Sequence, residues 1–222
     1  MRLCLGSSSK WRQRIVKDIV TSEARDGSLS IELLTCSPDI DEKAIRRDTA
    51  EELTLAIAAA KLEAVVQKLS GGSLSTVASS QPSVDVIITS DQVAVWNGTE
   101  IREKPTDPDE NRRFLRDYRN NSIETVAGFV VVNLQTGVRV AATHRCRTHF
   151  GPIPDDVIER VIARGDSLTC CGGFVVEDAD LSRYVTRIDH GTVTSVQGVH
   201  VPLLTDLLRQ VGVPLRAAER DH

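Results

Sequence analysis

Residues 86–105 read VIITSDQVAVWNGTEIREKP, and this stretch predicts the centre of the fold. The apolar run at residues 86–88 indicates a buried strand that ends in a polar turn, and the alternating valines at 93–95 indicate a second strand. Asn97-Gly98 is a dipeptide that two-residue hairpin turns favour, because both central residues take a positive φ angle. We therefore expect a hairpin tip here, followed by a returning strand.

The same stretch contains an acid and a base that the predicted hairpin brings together. Asp91 lies at the end of the first strand, and the return strand carries Glu103 and Lys104. Ligands of open α/β sheets bind at strand ends, so Asp91 and Lys104 form a candidate active site. The alternative is that Asp91 caps a turn and Lys104 is a solvated surface charge.

Length and charge limit the classes of protein that the sequence fits. The chain has 222 residues, of which 41% are hydrophobic, which suits one large domain or one domain with two lobes. A net charge of -4 disfavours a general nucleic-acid or membrane-surface binder, although basic residues can still converge on a small phosphorylated ligand. We expect residues 1–222 to form a single domain with no nucleic-acid or membrane partner.

The five cysteines lack the spacing of a zinc site, and their number is odd. This pattern predicts reduced thiols rather than a disulfide framework. No run of residues is apolar enough to act as a signal peptide or to cross a bilayer. The sequence therefore predicts a soluble, cytoplasmic protein.

The N-terminal residues predict a short strand, a serine turn and a helix over residues 10–20. Free N–H groups at such a helix start bind phosphate, and Ser7 and Arg12 lie beside them. The alternative is a serine turn that only caps the helix. Trp11, in the first helical turn, suits stacking on a flat ligand, or else it covers the edge of the sheet.

A strand predicted over residues 31–36 leads into a turn that carries three acids: Asp39, Asp41 and Glu42. Hard cations prefer oxygen ligands and often bridge to substrate phosphates, so this turn is a candidate Mg²⁺ or Mn²⁺ site. A solvated acidic turn is the alternative. The helix predicted after it carries Lys61 among alanines, either as a surface lysine or facing a ligand.

The rest of the chain continues the alternation of helices and strands without a domain linker. We expect a flexible Ser-rich loop at residues 70–83, a helix over residues 108–118 that starts at Pro108, and a β-hairpin over residues 125–150. A strand at residues 174–176 before Glu177, a β-like segment at residues 184–196 and a closing helix at residues 201–211 follow. Gly172-Gly173 permits two backbones to approach closely.

Taken in order, these motifs resemble the Maf family of nucleoside triphosphate pyrophosphatases over nearly the whole chain. The family pattern combines a Leu-Ala-Ser-x-Ser-Pro-x-Arg opening, an Asp-Glu turn, a Glu-Lys-Ala helix, a strand end with Gly, Asp and Thr or Gln, and a Gly-Lys-Pro return. A Ser-Gly pair before the long hairpin and a closing Gly-Leu-Pro follow. The matching positions here are Ser7, Arg12, Asp41, Glu42, Lys61, Ser90, Asp91, Gln92, Lys104 and Pro105. The sequence departs from the pattern at Lys10, Ala60, Thr89, Glu103, Asn120, Asn121, Val199 and His200.

The resemblance implies an α/β, Maf/ITPase-like fold, with a central mixed twisted sheet flanked by helices and a cleft between two lobes. It implies hydrolysis between the α- and β-phosphates of a nucleoside triphosphate, with Asp91 as the catalytic proton acceptor. Glu42 and Asp91 would hold Mg²⁺ or Mn²⁺. The substrate-binding residues would be Ser7, Arg12, Lys61 and Lys104. The resemblance leaves a homodimer open.

Three positions concern the nucleobase. Trp11, Gln92 and Glu177 are similar to the family branch that acts on 7-methyl-GTP, whereas the dTTP/UTP branch has Arg, Thr and Gln there. A tryptophan face attracts the positive ring of N7-methylguanine by about 0.5 to 2 kcal/mol. A carboxylate such as Glu177 accepts hydrogen bonds from guanine N1–H and the exocyclic amine together. The alternatives are that Trp11 packs on protein and that Glu177 is a metal ligand or a surface acid.

Two other functions fit the same motifs. One is a dTTP/UTP pyrophosphatase. The other is a nucleotide-binding regulator of cell division with little turnover, because Maf-like proteins are also associated with arrest of cell division.

Overall fold

The computed structural model describes residues 1–23, 30–70 and 83–215. Within these ranges a mixed seven-stranded sheet is flanked by helices, as the α/β prediction requires. The Ser-rich loop was predicted over residues 70–83, of which residues 71–82 lie outside the described residues.

The strands follow the spatial order β2-β1-β3-β5-β6-β7, and β4 pairs with β3 off this path. The β1 strand is parallel to both of its neighbours, and the other pairs are antiparallel. The strands are β1 (Arg2–Gly6), β2 (Glu32–Cys36), β3 (Val86–Trp96), β4 (Glu100–Arg102), β5 (Ser122–Asn133), β6 (Arg139–Phe150) and β7 (Val185–Asp189).

Six α-helices lie in the described ranges, and none of them is long and apolar enough to cross a membrane. The predicted helix starts at residues 10 and 108 are confirmed, and Asp107 caps the second of these helices by accepting from Glu110 N–H. The helices are α1 (Lys10–Glu23), α2 (Ala50–Ser70), α3 (Pro108–Asp117), α4 (Asp155–Arg164), α5 (Val193–Val196) and α6 (Val201–Gln210).

The core is divided between the two halves of the sheet. Around β1 and the first half of β3, α1 and α6 cover one face and α2 covers the other, because alternate residues such as Ile87 and Ile88 enter different apolar clusters. Around the last residues of β3, a separate cluster includes Tyr118, α4 and Phe174. The residues of β3 that concern function lie between the parts of the strand that enter these clusters.

The central stretch differs from its prediction in the continuity of its first strand. Residues 86–96 form one continuous strand, so the polar turn expected after residue 88 is wrong, and Asp91 sits in mid-strand. Continuous pairing with β5 over residues 86–95 holds the polar residues extended. The hairpin tip is confirmed, with φ angles of 48° at Asn97 and 78° at Gly98.

Strand pairing along one edge of β3 is interrupted, and this interruption explains how an acid in the middle of a strand can contact a ligand. On that edge β3 pairs with β1 over Val86–Thr89 and with β4 over Ala94–Trp96. Residues 90–93 have no strand partner there within the described part of the chain, and we call them the open edge. Unpaired carbonyls at such a position accept hydrogen bonds from side chains.

The chain between α4 and α6 contains less β-structure than predicted. Glu177 follows a coil rather than a strand, and residues 184–196 divide into β7 and the short helix α5. The close approach expected at Gly172 is confirmed: a Cβ there would lie 2.6 Å from the Ala94 Cβ, and its carbonyl accepts from the Tyr118 hydroxyl at 2.8 Å.

Candidate active site

A buried lysine joins two carboxylates at the open edge. Lys61 Nζ, on α2, lies 2.8 Å from Asp91 Oδ1 and 2.9 Å from Glu42 Oε1. Lys61 and Asp91 are both buried, whereas Glu42 is partly exposed on the acidic turn. The composition-based alternative that Lys61 is a surface lysine is therefore wrong, and the residues from three separate motifs meet at one point.

The carbonyl of Ser90 is shared by two cations. It accepts from Arg12 Nη1 at 3.1 Å and lies 3.4 Å from Lys61 Nζ. These cations belong to α1 and α2, which cover opposite faces of the sheet. The carbonyl is available because residues 90–93 have no partner strand on that edge. Both helices therefore deliver a positive charge to the same position.

Arg12 retains an unused donor. Its Nε atom is buried and has no hydrogen-bond acceptor within the described ranges. A buried donor without an acceptor is costly, and a charged ligand oxygen would satisfy it. This orphaned donor, beside the Lys61 ammonium that approaches the same carbonyl, indicates a place for an anion.

The serine turn supports the same interpretation. Ser7 is buried, and its Oγ accepts from Ser9 N–H at 3.2 Å, while Ser9 Oγ accepts from Arg12 N–H at 3.4 Å. Gln13 Nε2 donates to the Ser7 carbonyl at 2.9 Å. The turn thus caps α1, as the simpler alternative required, and it also holds Arg12 at the positive end of that helix.

Lys104 takes a different position from the one predicted. The return strand ends at Arg102, so Lys104 lies beyond it and is exposed, and the contact of Asp91 is with Lys61 instead. Desolvation raises the pKa of the Cys171 thiol to about 12, and Arg12 and Lys104 act against this rise. Lys104 therefore exerts its charge on the same thiol as Arg12, although it makes no contact with Asp91.

The three residues predicted to select the nucleobase lie around the other side of the open edge. Gln92 Nε2 donates to the Ser195 carbonyl at 3.0 Å, and its Oε1 lies 3.6 Å from Cys171 Sγ. Glu177 is exposed and accepts a hydrogen bond from Gln197 Nε2. Trp11 retains 38% exposure and has no ring-ring contact in the described ranges.

Glu42 and Asp91 are the carboxylates of the site that could contribute oxygen ligands to a divalent cation. Glu42 and Asp91 both approach Lys61 Nζ, so a single positive charge already lies between their oxygens. No group of three or more His, Cys, Asp or Glu side chains within residues 1–23, 30–70 and 83–215 could hold a metal alone. Two carboxylates with substrate phosphates and water are, however, a common arrangement for Mg²⁺.

Sequence reasoning missed the backbone and helper groups of the site. The Ser90 and Ser195 carbonyls are invisible to a search for side-chain motifs, since any residue supplies a carbonyl. Gln197 lacks a motif of its own. The one available signal was Gly198, whose φ of 97° requires glycine and whose added Cβ would lie 2.7 Å from Arg12 Nε.

Fold and site together define an α/β protein with a cationic cleft beside a lysine-bridged carboxylate pair. The chain belongs to the Maf family: the family described as Maf-like protein matches residues 2–211.

Named relatives span almost the full chain. A 7-methyl-GTP pyrophosphatase of Dictyostelium discoideum is 35% identical over 94% of this chain and 96% of the relative. A 7-methyl-GTP pyrophosphatase of Pseudomonas aeruginosa is 29% identical, with coverage of 96% and 98%. A nucleoside triphosphate pyrophosphatase of Salinispora tropica is 27% identical, with coverage of 97% and 86%.

Proposed function

We propose that this protein is a nucleoside triphosphate pyrophosphatase that hydrolyses 7-methyl-GTP to 7-methyl-GMP and pyrophosphate. The observation that carries the proposal is the contact of Lys61 with Asp91 and Glu42 at the open edge, beside the orphaned Arg12 donor. The names of the Dictyostelium discoideum and Pseudomonas aeruginosa relatives support the substrate.

The reaction requires attack by water on the α-phosphorus. A bond forms between the water oxygen and this phosphorus, and the bond from phosphorus to the α–β bridging oxygen breaks, so that pyrophosphate leaves with the electron pair. Asp91 accepts the proton of the water. Its carboxylate has about four lone-pair sites, of which the contact with Lys61 uses one.

Substrate charge is balanced by residues on several elements. Arg12 and Lys61 face the open edge from opposite sides of the sheet, Ser7 lies at the start of α1, and Lys104 lies after β4. Convergent donors of this kind stabilise the charge that develops on the transferred phosphoryl group. These donors come from the start of α1, from α2 and from the segment after β4, so a bound triphosphate would link separate parts of the chain.

We propose Glu42 and Asp91 as the residues that hold Mg²⁺ or Mn²⁺. When bound, the cation supplies positive charge against the phosphate oxygens. Cytoplasmic action is part of the proposal and is supported by the five cysteines, all of which are free.

A nucleotide panel with 7-methyl-GTP, GTP, dTTP and UTP, each with Mg²⁺ and with Mn²⁺, tests the proposal through pyrophosphate release. We expect the highest kcat/KM with 7-methyl-GTP, and a loss of about 100-fold or more in Asp91→Asn. Absence of release with every triphosphate, or full activity of Asp91→Asn, would overturn the mechanism. A dTTP or UTP preference would overturn the substrate alone. Tight binding without product would indicate a regulatory nucleotide binder.

A further inference from the structure

A four-residue segment between β7 and α6 contacts three of the residues around the cleft. The Ser195 carbonyl accepts from Gln92, and Gln197 Nε2 donates to Glu177 Oε2. Gly198 packs against Arg12 and Gln92, since an added Cβ would lie 2.7 Å from Arg12 Nε and 3.3 Å from Gln92 Oε1. We call residues 195–198 the holder segment.

From these contacts we propose that Gln197 is a positioning residue for nucleobase selection, which fixes the carboxylate plane of Glu177 so that it faces the Watson–Crick edge of a guanine. The inference rests on the proposed function and deepens it. Gln197 acts through Glu177 and makes no contact with the reacting phosphates.

Glu177 needs such a partner because it is exposed and follows a coil. A free glutamate samples several rotamers, and ordering it against a base costs conformational entropy. The hydrogen bond from the Gln197 amide orders the Glu177 side chain before the base binds, so less conformational entropy is lost on binding. One N–H group takes one of about four lone-pair sites, so both carboxylate oxygens still accept from guanine N1–H and the exocyclic amine.

The holder segment is itself well anchored. Ser195 is buried, and its Oγ takes part in a capping box with Thr192 and lies 3.0 Å from His200 Nδ1. Gly198 N–H donates to the Ser195 carbonyl at 3.1 Å, and Val199 N–H donates to the Thr194 carbonyl at 2.8 Å. Gln197 therefore projects from a fixed backbone, which makes its amide a precise support for Glu177.

Gln197→Leu removes the donor and keeps a similar volume. We expect kcat/KM for 7-methyl-GTP to fall about tenfold, through KM, with kcat within about twofold, because a hydrogen bond to a charged group is lost. Activity on dTTP should not change. Gln210→Leu is the matched control: Gln210 Nε2 donates to Asp206 Oδ2 at 2.7 Å on α6, so it removes a similar amide–carboxylate pair elsewhere.

A double-mutant cycle separates positioning from a general structural effect. In a Glu177→Ala background, Gln197→Leu should have no further effect on the ratio of 7-methyl-GTP to dTTP activity. An unchanged ratio in the single variant would overturn the inference, as would an equal loss for both nucleotides, or the same loss in both backgrounds.

A binding measurement keeps this test independent of turnover. We expect Gln197→Leu to weaken binding of 7-methyl-GMP about tenfold by calorimetry, again only when Glu177 is present. If the wild type hydrolyses no triphosphate, the proposed function fails, and this affinity still decides the role of Gln197. Equal affinities of wild type and variant would overturn it.

Discussion

Lys61 Nζ, on α2, and Asp91 Oδ1, on β3, lie 2.8 Å apart, and both side chains are less than a tenth exposed. The two residues are 30 positions apart in the sequence. This contact ties the floor of the cleft to α2. Breaking a buried pair leaves an uncompensated charge, so its loss is more costly than the loss of a surface pair.

Lys61→Met should lower the free energy of unfolding by about 3 kcal/mol, because Asp91 remains buried without its cation. Pyrophosphatase activity should be lost with it. Urea denaturation measures the first effect. Lys68→Met is the matched control on the same helix: Lys68 pairs with Asp39 at the surface, so its loss should cost under about 1 kcal/mol. Equal losses in the two variants would contradict the prediction.

Arg12→Lys keeps the positive charge and removes the planar guanidinium with its unused Nε donor. We expect KM for the triphosphate to rise about tenfold, since a point charge cannot replace a forked donor, while stability changes little. Steady-state kinetics and thermal melting measure the two quantities. Arg14→Lys, at an exposed position on the same helix, should leave KM unchanged. A KM that stays constant in Arg12→Lys would remove Arg12 from the anion site.

The triple variant Trp11→Arg, Gln92→Thr and Glu177→Gln should shift preference from 7-methyl-GTP toward dTTP and UTP. The cation–π face and the carboxylate are lost together, and each is worth about 1 kcal/mol or more toward a cationic base. The ratio of kcat/KM values for the nucleotides is the readout. An unaltered ratio would show that the base is read elsewhere.

Gly172→Ala should destabilise the protein by about 2 kcal/mol or more, because alanine would meet Ala94 at 2.6 Å in addition to adopting a φ of 71°. Gly137→Ala separates the two causes: Gly137 has a φ of 74°, but nothing lies within 4 Å of its added Cβ. It should cost about 1 kcal/mol. Chemical denaturation measures the free energy of unfolding of both variants. Equal losses of stability in the two would contradict the close approach at Gly172.

Two stacked histidines make stability depend on pH. The His144 and His200 rings lie 3.5 Å apart, and desolvation lowers the pKa of each below the ordinary value of 6.5. The unfolded chain therefore binds more protons as pH falls below about 6.5, so stability present at neutral pH is lost in that range. The free energy of unfolding at pH 7.5 should therefore exceed that at pH 5.5, as urea denaturation at the two pH values would show.

The matched variant for this prediction is His200→Gln, which removes one titrating ring and relieves the charge coupling of the other. Its difference between pH 7.5 and pH 5.5 should be at most about half that of the wild type. A wild-type protein whose stability is the same at the two pH values, or an unchanged slope in the variant, would contradict it.

Much of the fold was predictable because local patterns determined it. Asn97-Gly98 predicted a turn whose two central residues take positive φ angles, and Asp107-Pro108 predicted the start of a helix. The continuity of β3 was not predictable, since its polar residues read as a turn until the pairing with β5 overrides their local preference.

The site was predicted as a set of residues and not as a set of contacts. The sequence indicated Lys61, Asp91 and Lys104, but it paired Asp91 with the wrong lysine, because helix-to-strand distances depend on tertiary packing. Ser90 was identified as a motif position, but the role of its carbonyl was missed, and Gln197 was missed because it acts through a single long-range hydrogen bond.

The alternation of side chains along the open edge of β3 has an evolutionary consequence. Asp91 points to the layer of α2, whereas Gln92 points to the layer of α1 and α5. Under the proposed roles, the proton acceptor and one base-selecting residue project from opposite faces of one strand. Evolution can therefore substitute Gln92 in the layer of α1 and α5 and leave the contact of Asp91 with Lys61 in place.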